Sequence, residues 1–318
     1  VRHLTNIPIK FVVPCFLFVQ MLAAFLRNDK NPTLATVGVL SGGIFNIFGD
    51  YIFVFVFDMG IFGAGLATTI GSVISCIVML THFLSKRNSL ALVKPTKVFH
   101  KLKEISITGF STFFIDVAMG ILTILFNRQI MKYLGTNALS VYGIIVNVST
   151  FVQCCAYSVG QASQPIISVN YGAKFGTRIK ETLKYSIYSV IFFSLLWTLL
   201  SLLVPNMFVR IFMTPTKEIL KIAPAIIRCY GLSFLLLPIN IFSTYYFQAL
   251  LKPKASFIIS VSRGLVISSV LIFILPLTNG NNIWLTMPFT EMIVAIFAIV
   301  TMVRYTKKLP VDKEYIHE

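Results

Sequence analysis

Charge is what this sequence has least of. Lys, Arg, Asp and Glu together make up 12% of its 318 residues, about half of the roughly 25% found in soluble globular chains. Only 11 residues are acidic. A water-facing surface cannot be assembled from so few charges, which excludes an ordinary soluble domain. Catalytic motifs are missing as well: no P-loop, no HExxH, no paired zinc-ligand spacing and no triad spacing is present. An ATP-driven pump or an enzyme is unsupported, and no organic cofactor is expected. The five cysteines (Cys15, Cys76, Cys154, Cys155, Cys229) lie inside apolar runs without a CxxC pair. They read as packed thiols rather than a disulfide framework or zinc site. No Met opens the chain at Val1 and no signal-peptide pattern follows, so the sequence is expected to be a piece of something longer.

Apolar residues fill the space that charge leaves. They make up 56% of the chain, and the mean hydropathy is +0.83. Nine long apolar runs follow one another, at about 8–26, 33–57, 62–84, 105–131, 138–168, 185–209, 225–250, 256–277 and 283–303. A bilayer crossing needs about 20 residues of helix, and each run has roughly that length. The fifth is long for one crossing and is expected to tilt or to continue past the membrane. The fold class that follows is an all-α integral membrane protein with about nine transmembrane helices.

The formal net charge of +16 does not point to nucleic acid, because Lys and Arg sit in short connections rather than on one face. Alternate connections, including 85–104 and the tail, carry 18 of them against 7 on the opposite side, and the loops at 58–61 and 278–282 carry none. The positive-inside rule then places the 85–104 loop and the C-terminus in the cytoplasm of a cell (inner) membrane protein. An odd number of spans puts Val1 outside.

Two segments share a plan. Residues 31–60 and 252–280 each open on a Pro (Pro32, Pro253), run a long apolar helix and close on a Gly (Gly60, Gly280). These are the second and eighth spans and run in the same direction. That offset of six implies a parallel repeat, of a kind common in secondary transporters. Residues 1–84 then hold the last three helices of an N-lobe, 85–104 a basic inter-lobe loop, 105–304 a complete six-helix C-lobe and 305–318 a cytoplasmic tail.

Three carboxylates fall within spans, where an ionisable group is costly and its default reading is functional. Asp50 lies about 10 Å below the outer end of its helix, at ~1.5 Å per residue. Asn46 sits one turn earlier on the same face, and Thr68 enters the next helix at about the same depth. Three oxygen-bearing side chains at one level suit a proton or a hard cation such as sodium, and no other metal is suggested. A structural Asp at a helix kink is the alternative. Asp116, near mid-span, reads equally as a functional or a hydrogen-bonding group. Glu291 reads as an interhelical tie, and Arg228 and Arg263 read as snorkelling side chains near span ends.

Several stretches resemble one family. NPTLATVGVLSGGIFNIFGDYIFVFVFDMGIFGAGLATTI is similar to the fifth and sixth helices of MATE (multidrug and toxic compound extrusion) transporters. The GQxxQPxxxxNYGA segment at 160–173, which contains Gln164, resembles the end of the family's eighth helix. GFSTFFIDVAMGILTILFN resembles the seventh, and YYFQALLKPKASF and IWLTMPFTEMI resemble the tenth to twelfth. The resemblance covers nearly the whole chain and implies the family's helices four to twelve of a twelve-helix, two-lobe fold. It also implies alternating-access export of small organic, often cationic substrates, coupled to inward movement of protons or sodium, by a protein whose other partner is membrane lipid. Asn46, Asp50 and Thr68 match three of the family's N-lobe cation-site positions, with Asp116 a further coupling candidate and Gln164 and Glu291 secondary ones. A lipid-linked oligosaccharide flippase of the same superfold and a non-transporting membrane scaffold are the alternatives.

Overall fold

The structure is a computed structural model that describes residues 2–86, 88–91 and 96–309, with backbone alone at 2–12, 104, 107–112 and 114–116. The chain divides into two compact units, Val1–Thr96 and Lys97–Glu318. Among the described residues every regular element is helical. Seven helical stretches are long and apolar enough to cross a membrane, and Val13–Asn28 adds a shorter apolar helix.

The first unit holds three helices: α1 (Arg2–Asn28), α2 (Pro32–Asp50) and α3 (Gly60–Leu80). Pro32 starts α2 at a position where its missing N–H is not needed, and Asn31 caps it by accepting the Leu34 N–H at 3.3 Å. The helix does not end at Asp50. It widens into a π-helical turn over Tyr51–Val56, closed by Phe57 N–H donating to the Ile52 carbonyl at 2.9 Å. Helices α2 and α3 meet through glycine. A Cβ placed on Gly42 would lie 2.3 Å from the Gly71 carbonyl oxygen, and one on Gly71 would lie 2.6 Å from that of Gly42. Only glycine permits this backbone approach, the usual device for packing helices in lipid, where no hydrophobic drive brings them together.

The second unit is built from α4 (Val98–Tyr133), α5 (Gly135–Gly172), α6 (Gly176–Leu203), the short α7 (Pro205–Phe212), α8 (Lys217–Gly231), α9 (Leu237–Ala249), α10 (Pro253–Val261), α11 (Ile267–Thr278) and α12 (Thr286–Lys307). One core gathers Phe126, Tyr142, Ile145, Tyr230 and Trp284; a second gathers Ile167, Ile179, Phe242, Tyr246 and Phe247. Outward faces stay apolar. Phe55 is 75% exposed and Val169 71%, which suits a lipid solvent and not water.

All nine apolar runs fall on helices, with differences of detail. The sixth run extends to residue 209, but its helix stops at Leu203, because Pro205 cannot continue it and instead opens α7. The seventh starts at Lys217, where Thr216 accepts the Ile219 N–H at 3.3 Å as an N-cap, and breaks into a 3-10 turn at Leu232–Leu235 ahead of Pro238. The eighth carries a π turn at Ser262–Val266 between α10 and α11. Apolar periodicity shows that a span exists; its local winding depends on packing.

Candidate functional site

The close approach of Gly42 and Gly71 aligns the polar residues above them. One turn along, Asn46 Nδ2 donates to Thr68 Oγ1 at 3.1 Å, and Thr68 Oγ1 in turn donates to the Ala64 carbonyl at 3.0 Å. Asp50 stands one further turn up α2, at the junction with the π turn, and its Oδ1 is buried with no hydrogen-bond partner. The structure therefore joins Asn46 to Thr68 and leaves Asp50 with an acceptor unsatisfied. A buried carboxylate oxygen without a donor is costly. π turns recur at functional sites because the extra residue re-aims the neighbouring side chains.

Asp116 lies on α4, and its side chain is outside the described residues. Gln164 lies on α5, where its Nε2 reaches Gln248 Oε1 on α9 at 3.5 Å, and Gln248 Nε2 donates to Ser256 Oγ on α10 at 3.3 Å. This weak relay runs between helices of the second unit.

Glu291 on α12 is fully buried and has two strong partners. Arg263 Nε donates to its Oε1 at 2.6 Å, and Asn240 Nδ2 donates to its Oε2 at 2.7 Å. The three residues tie α9, the π turn and α12 together. Arg263 is thus not the snorkelling residue expected from its place in the sequence: it is 7% exposed and paired. Glu291 neutralises its charge within the helix bundle. Arg228 is exposed and donates from Nε to the Leu202 carbonyl at 2.9 Å. Sequence reasoning gives Asn240 no part in this tie; only its position two residues after Pro238, inside a span, sets it apart.

A second polar cluster lies at the end of the first unit, where α1 and α3 close. His82 is fully buried. It follows α3 in a 3-10 turn, Thr81–Leu84. Because Asn31 Oδ1 is committed to capping α2, its Nδ2 donates to His82 Nδ1 at 3.0 Å, and His82 Nε2 donates to Asp29 Oδ2 at 2.6 Å. The Ser89 backbone N–H donates to the same oxygen at 3.0 Å, and the Ser89 hydroxyl donates to Asp29 Oδ1. The hydrogen bonds from His82, and then those from Ser89, hold the Asp29 carboxyl down from its ordinary 3.8 to about 2. This cluster clips the first residues of the basic loop to the helix ends. It is not legible in the sequence, since no spacing links Asp29, His82 and Ser89.

Among the described residues no three His, Cys, Asp or Glu side chains converge as a metal site. Ionisable groups at membrane depth and long, apolar, outward-facing helices together define a multi-pass membrane protein.

The MatE family model matches residues 110–274, just over half of the chain, and the chain belongs to that family. The multidrug export protein MepA of Staphylococcus saprophyticus subsp. saprophyticus is 26% identical over 309 residues, which span 96% of this chain and 67% of that protein. MepA of Staphylococcus haemolyticus is likewise 26% identical, over 310 residues. A crystal structure of a MATE protein in its straight conformation superposes with a TM-score of 0.85 at 18% identity, covering 93% of this chain and 67% of that one. At that identity the likeness shows the fold alone.

Proposed function

We propose that the protein exports small organic, mainly cationic compounds by cation-coupled antiport, with Asp50 as the coupling group. The observation that carries this reading is the buried, unpartnered Oδ1 of Asp50 next to the Asn46–Thr68 pair. The family membership and the multidrug export named for the MepA relatives support the transport half of it. An antiporter must hold a cation in one state and release it in another, so its site needs a group whose charge or ligation changes between states. A carboxylate with a vacant acceptor can take a proton or contribute an oxygen to sodium, and neighbouring neutral oxygens can complete a hard-cation shell. A ligand then shifts the balance of inward- and outward-open states only by its difference in affinity for them. Proton and sodium both fit the chemistry of the Asp50 neighbourhood.

Asp50→Asn tests the assignment, since it keeps the shape and removes the charge. Gradient-driven efflux of an organic cation should fall to background while the variant folds and inserts as the parent does. Asn46→Ala and Thr68→Ala should give partial losses, because each removes a neutral group and leaves the carboxylate. Parental rates in Asp50→Asn under both proton and sodium gradients would remove Asp50 from the mechanism and leave Asp116 as the candidate.

A further inference from the structure

The second unit encloses a partly open cavity of about 240 Å3. It is smaller than the roughly 300–1,000 Å3 of sites that hold whole drug-sized ligands. Part of its wall is aromatic: Phe126 stacks on Tyr142 with centroids 5.1 Å apart and meets Tyr230 edge-on at 6.4 Å, and Phe234 follows Tyr230 at 6.0 Å. Polar side chains lining it have unspent hydrogen-bonding capacity. Arg263 uses Nε on Glu291, while its Nη2 is buried with no partner; Ser233 Oγ is likewise buried and unpartnered. Glu291 is not among the residues that line the cavity, and each of its oxygens already accepts a hydrogen bond.

We infer that this cavity is a binding site for a neutral aromatic molecule, or the neutral aromatic part of a larger one, whose carbonyl oxygen accepts from Arg263 Nη2. The charge count selects the ligand. Arg263 and Glu291 form a neutral pair, so a bound carboxylate would bring an uncompensated charge into a low-dielectric interior, and an ammonium would face a guanidinium edge. A carbonyl oxygen satisfies the orphan donor without adding charge, and a charged donor makes a stronger hydrogen bond than a neutral one. The aromatic part of the wall takes a flat ring system and offers it edge and face contacts. The volume admits a bicyclic ring with a small substituent. The lining residues all belong to the second unit, and the test of this site does not depend on the coupling proposal.

The test is calorimetric titration of the purified chain in lipid nanodiscs with 2-naphthamide, 2-naphthoate and 2-naphthylmethylammonium. Empty nanodiscs correct each titration for partition into lipid. The amide should bind saturably, and each charged analogue at least roughly tenfold more weakly. Arg263→Lys keeps the charge beside Glu291 and removes the planar second donor; it should lose most of the amide binding while its melting temperature stays near the parent's. If that variant is poorly folded, the double variant Arg263→Met with Glu291→Met replaces the pair by apolar groups of similar length and should lose amide binding too. No saturable binding of 2-naphthamide, equal binding of 2-naphthoate, or parental amide affinity in a folded Arg263 variant would each overturn the inference.

Discussion

Glu291 and Arg263 compensate each other in a place where neither would be tolerated alone. Removing one partner of a buried pair typically costs about 3–5 kcal/mol, because the survivor keeps its charge without compensation. Glu291→Gln should therefore lower the thermal stability of the detergent-solubilised protein sharply, whereas replacing both members by Met should cost much less. Equal stability losses in the single and double variants would show that the pair is not coupled. Asp29 makes a separate prediction at the other polar cluster. A carboxyl held below its ordinary value contributes stability above about pH 4, and that contribution is lost as pH falls toward the folded value of about 2. At neutral pH the clip is fully formed, so Asp29→Asn should speed tryptic cleavage at the exposed Lys86 in inside-out vesicles. Unchanged cleavage would mean that Ser89 is held by something else. Asn46 and Thr68 are legible as neighbours because depth in a helix follows from a fixed rise per residue. The role of Arg263 is not legible in that way, because position within a span does not reveal a partner 28 residues away in the sequence.

At the scale of elements, the pair α2 and α3 depends on two glycines. Gly42→Leu should destabilise the first unit by about 1–3 kcal/mol through overpacking, since its Cβ would meet the Gly71 backbone as well as the Ser75 hydroxyl, and the backbone cannot move aside as a side chain can. It should also separate Asn46 from Thr68 and impair coupling. Gly43→Ala is the control, because nothing lies within 4 Å of its added Cβ. Similar melting temperatures for the two variants would remove close packing as the reason for Gly42. The helices themselves are legible throughout, from apolar length and from Pro at the starts of α2 and α10. The π turns after Asp50 and around Arg263 are not. Both depend on hydrogen bonds that skip an extra residue to suit neighbouring packing, and composition carries no record of that. Each nonetheless adjoins an ionisable side chain at membrane depth, where a re-aimed helix face has a use.

The whole molecule is a multi-pass membrane protein whose matched relatives are about half as long again, with the chain spanning 67% of each of the two MepA proteins compared. The distribution of Lys and Arg predicts its sidedness. Cysteines placed at Lys86 and Asn281, both exposed, in a background without native cysteine, should differ in intact cells: an impermeant thiol reagent should label the second and spare the first. The reverse pattern would invert the orientation. The central claim, cation-coupled export, is tested most directly in proteoliposomes loaded with a fluorescent organic cation and given an imposed proton or sodium gradient. The account predicts that efflux follows one of these gradients, collapses when an ionophore dissipates it, and is absent in Asp50→Asn. Efflux at the same rate with no gradient, or undiminished in Asp50→Asn, would contradict it.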